Sequence, residues 1–203
     1  YVATCTFGGD DNNEPGTSTR TVKINRVPLV ITSSSHTVTY GSPVPTITPS
    51  FSGFVNGETK TVLTSQPTCS TVYTTTSAVG TTPATSCTGA TATNYDISYV
   101  PGAITITKML VTATATGGTW VYDGLEHPGT CTISGGLTGT VTYTPGGSLK
   151  PVNVKTYALS CDYAGDANHN SAHASATIII TPKAAVVTAG NGTKVYGSGA
   201  DPA

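Results

Sequence analysis

The chain has 203 residues, 41 of them Thr, with only 9% charged and a formal net charge of −1. It contains no run of Lys or Arg, which argues against a nucleic-acid partner and against attraction to an anionic membrane surface. No stretch approaches the roughly 18 consecutive apolar residues of a membrane span, so no membrane insertion is expected of this segment.

Abundant Thr, Ser, Val and Gly favour strands and turns over helices, because β-branched side chains suit a pleated sheet and Gly and Pro punctuate it. In chain order the strand-like runs are LVIT (29–32), HTVTY (36–40), KTVLT (60–64), STVYTTT (70–76), AITIT (103–107), LVTATAT (110–116), TVTYT (140–144) and ATIIIT (176–181). Between them lie YGSPVP, VNGE, YDGLEHPG and GDANHN, all of which carry turn chemistry. No helical periodicity of any length is present. Many short strands per 75 to 80 residues predict an all-β chain of small antiparallel sandwiches.

An internal repeat organises these runs. Laid over itself at an offset of 156 residues, the chain shows 13 identities in 42 positions without a gap, among them Tyr1/Tyr157, Cys5/Cys161, Asp10/Asp166, Ile24/Ile180 and Tyr40/Tyr196. Closing strands in 21–28, 103–110 and 177–184 mark unit ends, and Ile24, Ile106 and Ile180 are separated by steps of 82 and 74 residues. Two related module types are therefore expected to alternate. Residues 1–28 would end one module, 29–108 and 109–182 would be complete modules, and 183–203 would begin another. On this reading the chain is a section of a longer repetitive protein. Linkers of about two to four residues, two of them containing Pro, predict a semi-rigid rod.

The first complete module carries YGSPVP (40–45), FSGFVNGET (51–59), SAVGT (77–81) and NYDISYVPGAITITK (94–108). It resembles the MBG-type (YGX type) immunoglobulin-like repeats of large bacterial surface proteins. The second, with TWVYDG (119–124) and YAGDANHN (163–170), is similar to the bacterial immunoglobulin-like modules that accompany them. The resemblance implies tandem immunoglobulin-like sandwiches in an extracellular adhesin, stalk or fibre, and brings no catalytic residues. One departure is GTTPATSC (80–87), where the family usually has a Tyr near Thr82.

The five cysteines follow the modules. Cys69 and Cys87 lie in the first complete module and Cys131 and Cys161 in the second, which predicts two structural disulfides. Cys5 is the repeat equivalent of Cys161, so its partner is expected outside these 203 residues. Closely spaced CxxC pairs with a nearby His, the mark of a structural zinc site, are absent. Disulfides of this kind persist in oxidising surroundings, which agrees with an exported, cell-surface protein.

Other candidate chemistry is sparse. GGDDNNE (8–14) and AGDANHN (164–170) hold oxygen ligands at Asp10, Asp11 and Asp166, where Ca²⁺ could bind, although the same residues suit tight turns. His169 and His173, with Asp162 and Asp166 nearby, invite a metal reading, but the first repeat copy has Asn13 and Thr17 in their places. Trp120 and Tyr122 are the candidates for a sugar-stacking patch, against aromatic core packing. Lys23, Lys60 and Lys108 lie on or beside strands and are candidates for isopeptide crosslinks. No GxSxG, HExxH or phosphate-loop motif occurs, so no enzyme activity is expected. Asn191 heads the one N-glycosylation sequon, and the Thr- and Ser-rich faces also permit O-glycosylation. The expected partners are neighbouring modules of the same chain and identical chains in a fibre. Glycans or host proteins are the alternative, and lateral pairing of edge strands such as TVYTTT is a further one.

Overall fold

The computed structural model describes residues 1–197. The protein is nearly all β, with fifteen strands and two short 3₁₀ turns among the described residues. It divides into two compact units: Tyr1–Met109 with Ala167–His169, and Leu110–Asp166 with the residues from Asn170 onward.

The first unit begins with an isolated antiparallel hairpin of β1 (Val2–Phe7) and β2 (Gly16–Thr21). A sandwich of two sheets follows. One sheet has the order β5 (Pro49–Ser52), β3 (Val27–Ser33), β8 (Tyr95–Val100). The other has the order β4 (His36–Thr39), β9 (Gly102–Thr107), β7 (Ala84–Thr88), β6 (Thr68–Thr71). Period-2 alternation decides which side chains face inward: Leu29 and Ile31 on β3, and Ile104 and Ile106 on β9, are almost wholly buried.

The sheets are mixed rather than purely antiparallel, which corrects the expectation from sequence. β3 pairs parallel with β8, and β4 pairs parallel with β9. The opening and closing segments of the module thus run side by side, and both step from one sheet to the other at Ser33–Ser35 and at Val100–Gly102. Gly102 is required there. A Cβ on it would lie 2.7 Å from both the Ser33 carbonyl oxygen and Thr85 Oγ1. Buried hydroxyls satisfy the backbone at this step. Ser33 Oγ donates to the Thr85 carbonyl at 3.0 Å and accepts from Gly102 N–H at 2.8 Å, while Thr85 Oγ1 donates to the Ser34 carbonyl at 2.9 Å.

The second unit repeats the device with different residues. β10 (Ala113–Thr116) pairs with β12 (Thr130–Ile133) in a small sheet, and the chain then crosses at Gly117 into a larger one. That sheet has the order β11 (Gly118–Val121), β15 (Ala172–Thr181), β14 (Lys155–Tyr163), β13 (Thr140–Thr144), with β11 parallel to β15. A Cβ on Gly117 would stand 1.9 Å from the Thr177 carbonyl oxygen, so the crossing strand can approach the closing strand only as glycine. Tyr143, Tyr157, Leu159, Ile178 and Ile180 form one buried cluster; Val111, Ile133 and Cys161 form another.

Two sequence-derived strands take other forms. KTVLT (60–64) is a 3₁₀ turn over Lys60–Val62 that delivers Leu63 into the core. STVYTTT (70–76) leaves the strand after Thr71. Tyr73 then turns inward, buried, with its hydroxyl donating to the Ser42 carbonyl at 2.8 Å. Of the TVYTTT run only Thr71 lies on a strand, at the end of the edge strand β6. Tyr73 also supplies an aromatic to the cluster of Ile47, Ile104 and Ile106, a module in which the Tyr usual near Thr82 is missing. Residues 183–197 form no strand, and Ser198 to Ala203, the rest of the segment expected to begin a further module, lie outside the described residues.

Candidate functional site

The strongest chemical features are the two disulfides. Cys69 and Cys87 are direct cross-strand partners on β6 and β7, with a Cα–Cα separation of 4.0 Å and an S–S bond of 2.06 Å. Cys131 on β12 and Cys161 on β14 join the two sheets of the second unit, with Cα atoms 5.3 Å apart. Cys161 is fully buried. Cys5, on β1, is exposed and unbonded.

The candidate Ca²⁺ ligands are held by their own loops. Asp10 Oδ1 accepts from Asn12 N–H at 2.9 Å and from the Asn13 side-chain amide at 2.8 Å. These donors, the backbone one first, hold the Asp10 carboxyl below its ordinary pKa. Asp11 is exposed in the same turn. Asp166 Oδ2 accepts from the Tyr163 hydroxyl at 2.8 Å; partial burial and this bond raise the phenol above its ordinary pKa. Among the described residues, no group of three or more His, Cys, Asp or Glu converges as a metal site.

The structure separates the two histidines. His169 lies edge-on against Tyr40 in the first unit, with ring centroids 5.5 Å apart. His173 Nδ1 meets Asp162 Oδ1 at 2.6 Å in the second, and Ser160 Oγ donates to Asp162 Oδ2 at 2.5 Å. The Ser160 hydroxyl first, and the imidazole second, hold the Asp162 carboxyl below its ordinary pKa. Both the hydroxyl and the imidazole are turned toward the carboxylate, and Ser160 Oγ also lies 3.5 Å from His173 Nδ1.

Trp120 is engaged from within its own unit. Gly118 lies beneath the indole, so close that a Cβ there would be 2.5 Å from Cη2, and the His127 ring stacks on it at 5.1 Å and 23°. His127 is in turn held by Asp123 at 2.9 Å. The indole packs on the cluster around Tyr157 and Ile178, while Tyr122 stays partly exposed at the end of β11. Trp120 is thus half-buried against this cluster, and Tyr122 is exposed.

Lys23, Lys60 and Lys108 are all exposed, whereas an isopeptide crosslink requires a buried amine. Sequence reading missed the pair of Glu58 and Tyr95, in which the phenol donates to the Glu58 carboxylate and accepts from Val55 N–H at 3.2 Å. That carboxylate pushes the Tyr95 phenol above its ordinary pKa. The pair borders a groove of about 480 Å³ that also touches Arg26 and Asn94. Nothing in the order of residues 55–58 and 95 announces this contact, because a turn and a distant strand supply its two halves.

These units are small, disulfide-bonded β-sandwich modules without an assembled catalytic centre among the described residues. Residues 29–105, which span most of β3 to most of β9, match the family model of the MBG domain (YGX type). No curated protein matches the chain. The MBG match suggests a repeat module of a surface protein, a structural rather than an enzymatic family, and the two disulfides fit the oxidising surroundings of such proteins.

Proposed function

We propose that this chain is a length-giving section of the structural repeat region of a bacterial extracellular surface protein, as a stalk, adhesin shaft or fibre. One observation carries the reading. The β1–β2 hairpin has the same register as β14–β15 at an offset of 156 residues: Cys5 faces Ser18 as Cys161 faces Ala174, and Val2 faces Thr21 as Ala158 faces Thr177. The loops agree too, with Gly9 at φ 81° and Gly165 at φ 83°, a left-handed conformation that favours glycine.

The geometry of each module suits tension. The opening strand lies parallel to the closing strand, β4 beside β9 and β11 beside β15. Pulling on the two ends of such a module loads the ladder in shear, so its hydrogen bonds must yield together rather than one by one. The disulfides limit how far a module can extend after it yields.

Electron microscopy of the parent protein on cells, and after shearing, tests the proposal. Fibres or stalks whose axial repeat accommodates one 156-residue pair are expected. A compact globular particle without periodicity would overturn it.

A further inference from the structure

Three short runs that stand out in the sequence meet within the first unit: Tyr40 of YGSPVP, Val79 of SAVGT, and Asn168 with His169 of YAGDANHN. Ala167–His169 belongs to this unit although its last strand, β9, ends at Thr107. Asn168 brings two acceptors. Its Oδ1 accepts from Val79 N–H at 3.0 Å, and its carbonyl accepts from Met109 N–H at 2.9 Å. Met109 and His169 form a parallel bridge, and the His169 ring stands edge-on to Tyr40 with the planes at 79°.

The surface that receives these residues is built by the core beneath it. Two turns shape the SAVGT run: Ser77 N–H donates to the Thr74 carbonyl at 3.0 Å, and Thr81 N–H donates to the Ala78 carbonyl at 3.2 Å. Neither turn uses the Val79 N–H. The Val79 and Tyr40 side chains pack on the cluster of Ile47, Tyr73, Ile104 and Ile106, which holds the N–H and the ring in place. A half-buried N–H without an acceptor is costly, and the uncharged amide oxygen of Asn168 supplies one.

We infer that the SAVGT turn and Tyr40 form a recognition surface for an Asn-His step, and that Asn168 is the residue this surface reads. It fits an extended segment in which a short, uncharged acceptor side chain precedes a ring. Alanine offers no oxygen at that place, and glutamine would carry its oxygen one methylene further. The ring that follows gains an edge contact with the Tyr40 aromatic. These bonds lie inside one unit, so a failure to see fibres would leave them unchanged.

Amide hydrogen exchange of the full chain, followed by NMR, tests the inference. Val79 and Met109 are expected to be protected in the natural chain. Asn168→Ala should speed exchange at Val79 roughly tenfold, the effect of losing one hydrogen bond of ordinary net strength. Met109 should keep its protection, because its acceptor is the main-chain carbonyl of residue 168. Asn168→Asp retains an oxygen at the same place and should keep Val79 protected. The N–H groups of Tyr40 and Ile104, bonded to the Thr107 and Pro83 carbonyls, are the controls and should not change. Exchange at Val79 of the natural chain as fast as in an unstructured peptide would overturn the inference. So would an unchanged Val79 in Asn168→Ala, or an equal rise at Val79, Tyr40 and Ile104.

Discussion

The two compact units each carry one disulfide, but the bonds do different work. Cys69 and Cys87 tie neighbours that the β6–β7 ladder already holds in register. Cys131 and Cys161 tie a two-stranded sheet to a four-stranded one, across an interface where side chains of the two sheets pack. A sheet ladder supplies its own directional bonds, whereas face-to-face packing of Ala-, Thr- and Gly-rich strands supplies little apolar area. The same chemistry therefore reinforces one module and assembles the other.

The largest expected effect breaks this comparison directly. Loop-closure entropy alone predicts a loss of roughly 3 to 4 kcal/mol for either bond, from sequence separations of 18 and 30 residues. Calorimetry of Cys131→Ala/Cys161→Ala should show the greater loss, beyond that figure, because buried Cys161 also packs between the sheets. An equal or larger loss in Cys69→Ala/Cys87→Ala would show that the sheet position does not matter. Under mechanical load, reducing the chain should lengthen the unfolded first module by roughly 60 Å and the second by roughly 100 Å, at about 3.3–3.6 Å for each of the 18 and 30 residues released. Force-extension curves check this.

The sheet-crossing glycines come next. Gly117→Ala meets the Thr177 carbonyl more closely than Gly102→Ala meets the Ser33 carbonyl, 1.9 Å against 2.7 Å. Both should cost about 1–3 kcal/mol or more, with the second unit again the more sensitive in denaturant melts. Ser33→Ala should cost the first unit about 1–3 kcal/mol, since Gly102 N–H loses its buried acceptor.

The smallest effect is a titration. Because the folded pKa of Asp162 lies below its unfolded value, the carboxylate contributes its stability above the unfolded pKa and loses it as pH falls through the folded one. Carbon NMR should place its midpoint below the ordinary carboxylate value, moved upward most by Ser160→Ala and less by His173→Ala. An unchanged midpoint in both variants would remove these two contacts as the cause.

Legibility varied with the residues. Strands with large alternating apolar side chains, such as 103–107 and 176–181, were plain in the sequence because burial on one face writes itself as period 2. Strands β7 and β12 do not stand out in the sequence, and β6 is shorter than the STVYTTT run suggests, because their Thr, Ser, Cys and Ala alternate too weakly in size. Lys60–Val62 looked like a strand by composition, yet the chain there must turn to place Leu63. Trp120 looked available as a binding aromatic; Gly118 and His127, close in sequence, are what engage it, and only the stacked geometry reveals this.

The sequence by itself determined the all-β class and the MBG character of residues 29–105, and it holds 13 identities at an offset of 156 residues, since each is written in local pattern or self-similarity. Only the tertiary structure decided the parallel pairing of opening with closing strands, the buried hydroxyls of Ser33 and Thr85, and which disulfide spans two sheets. Those features join residues 30 to 70 positions apart, and a period-2 pattern tells a strand which face to bury but not which distant strand will lie beside it.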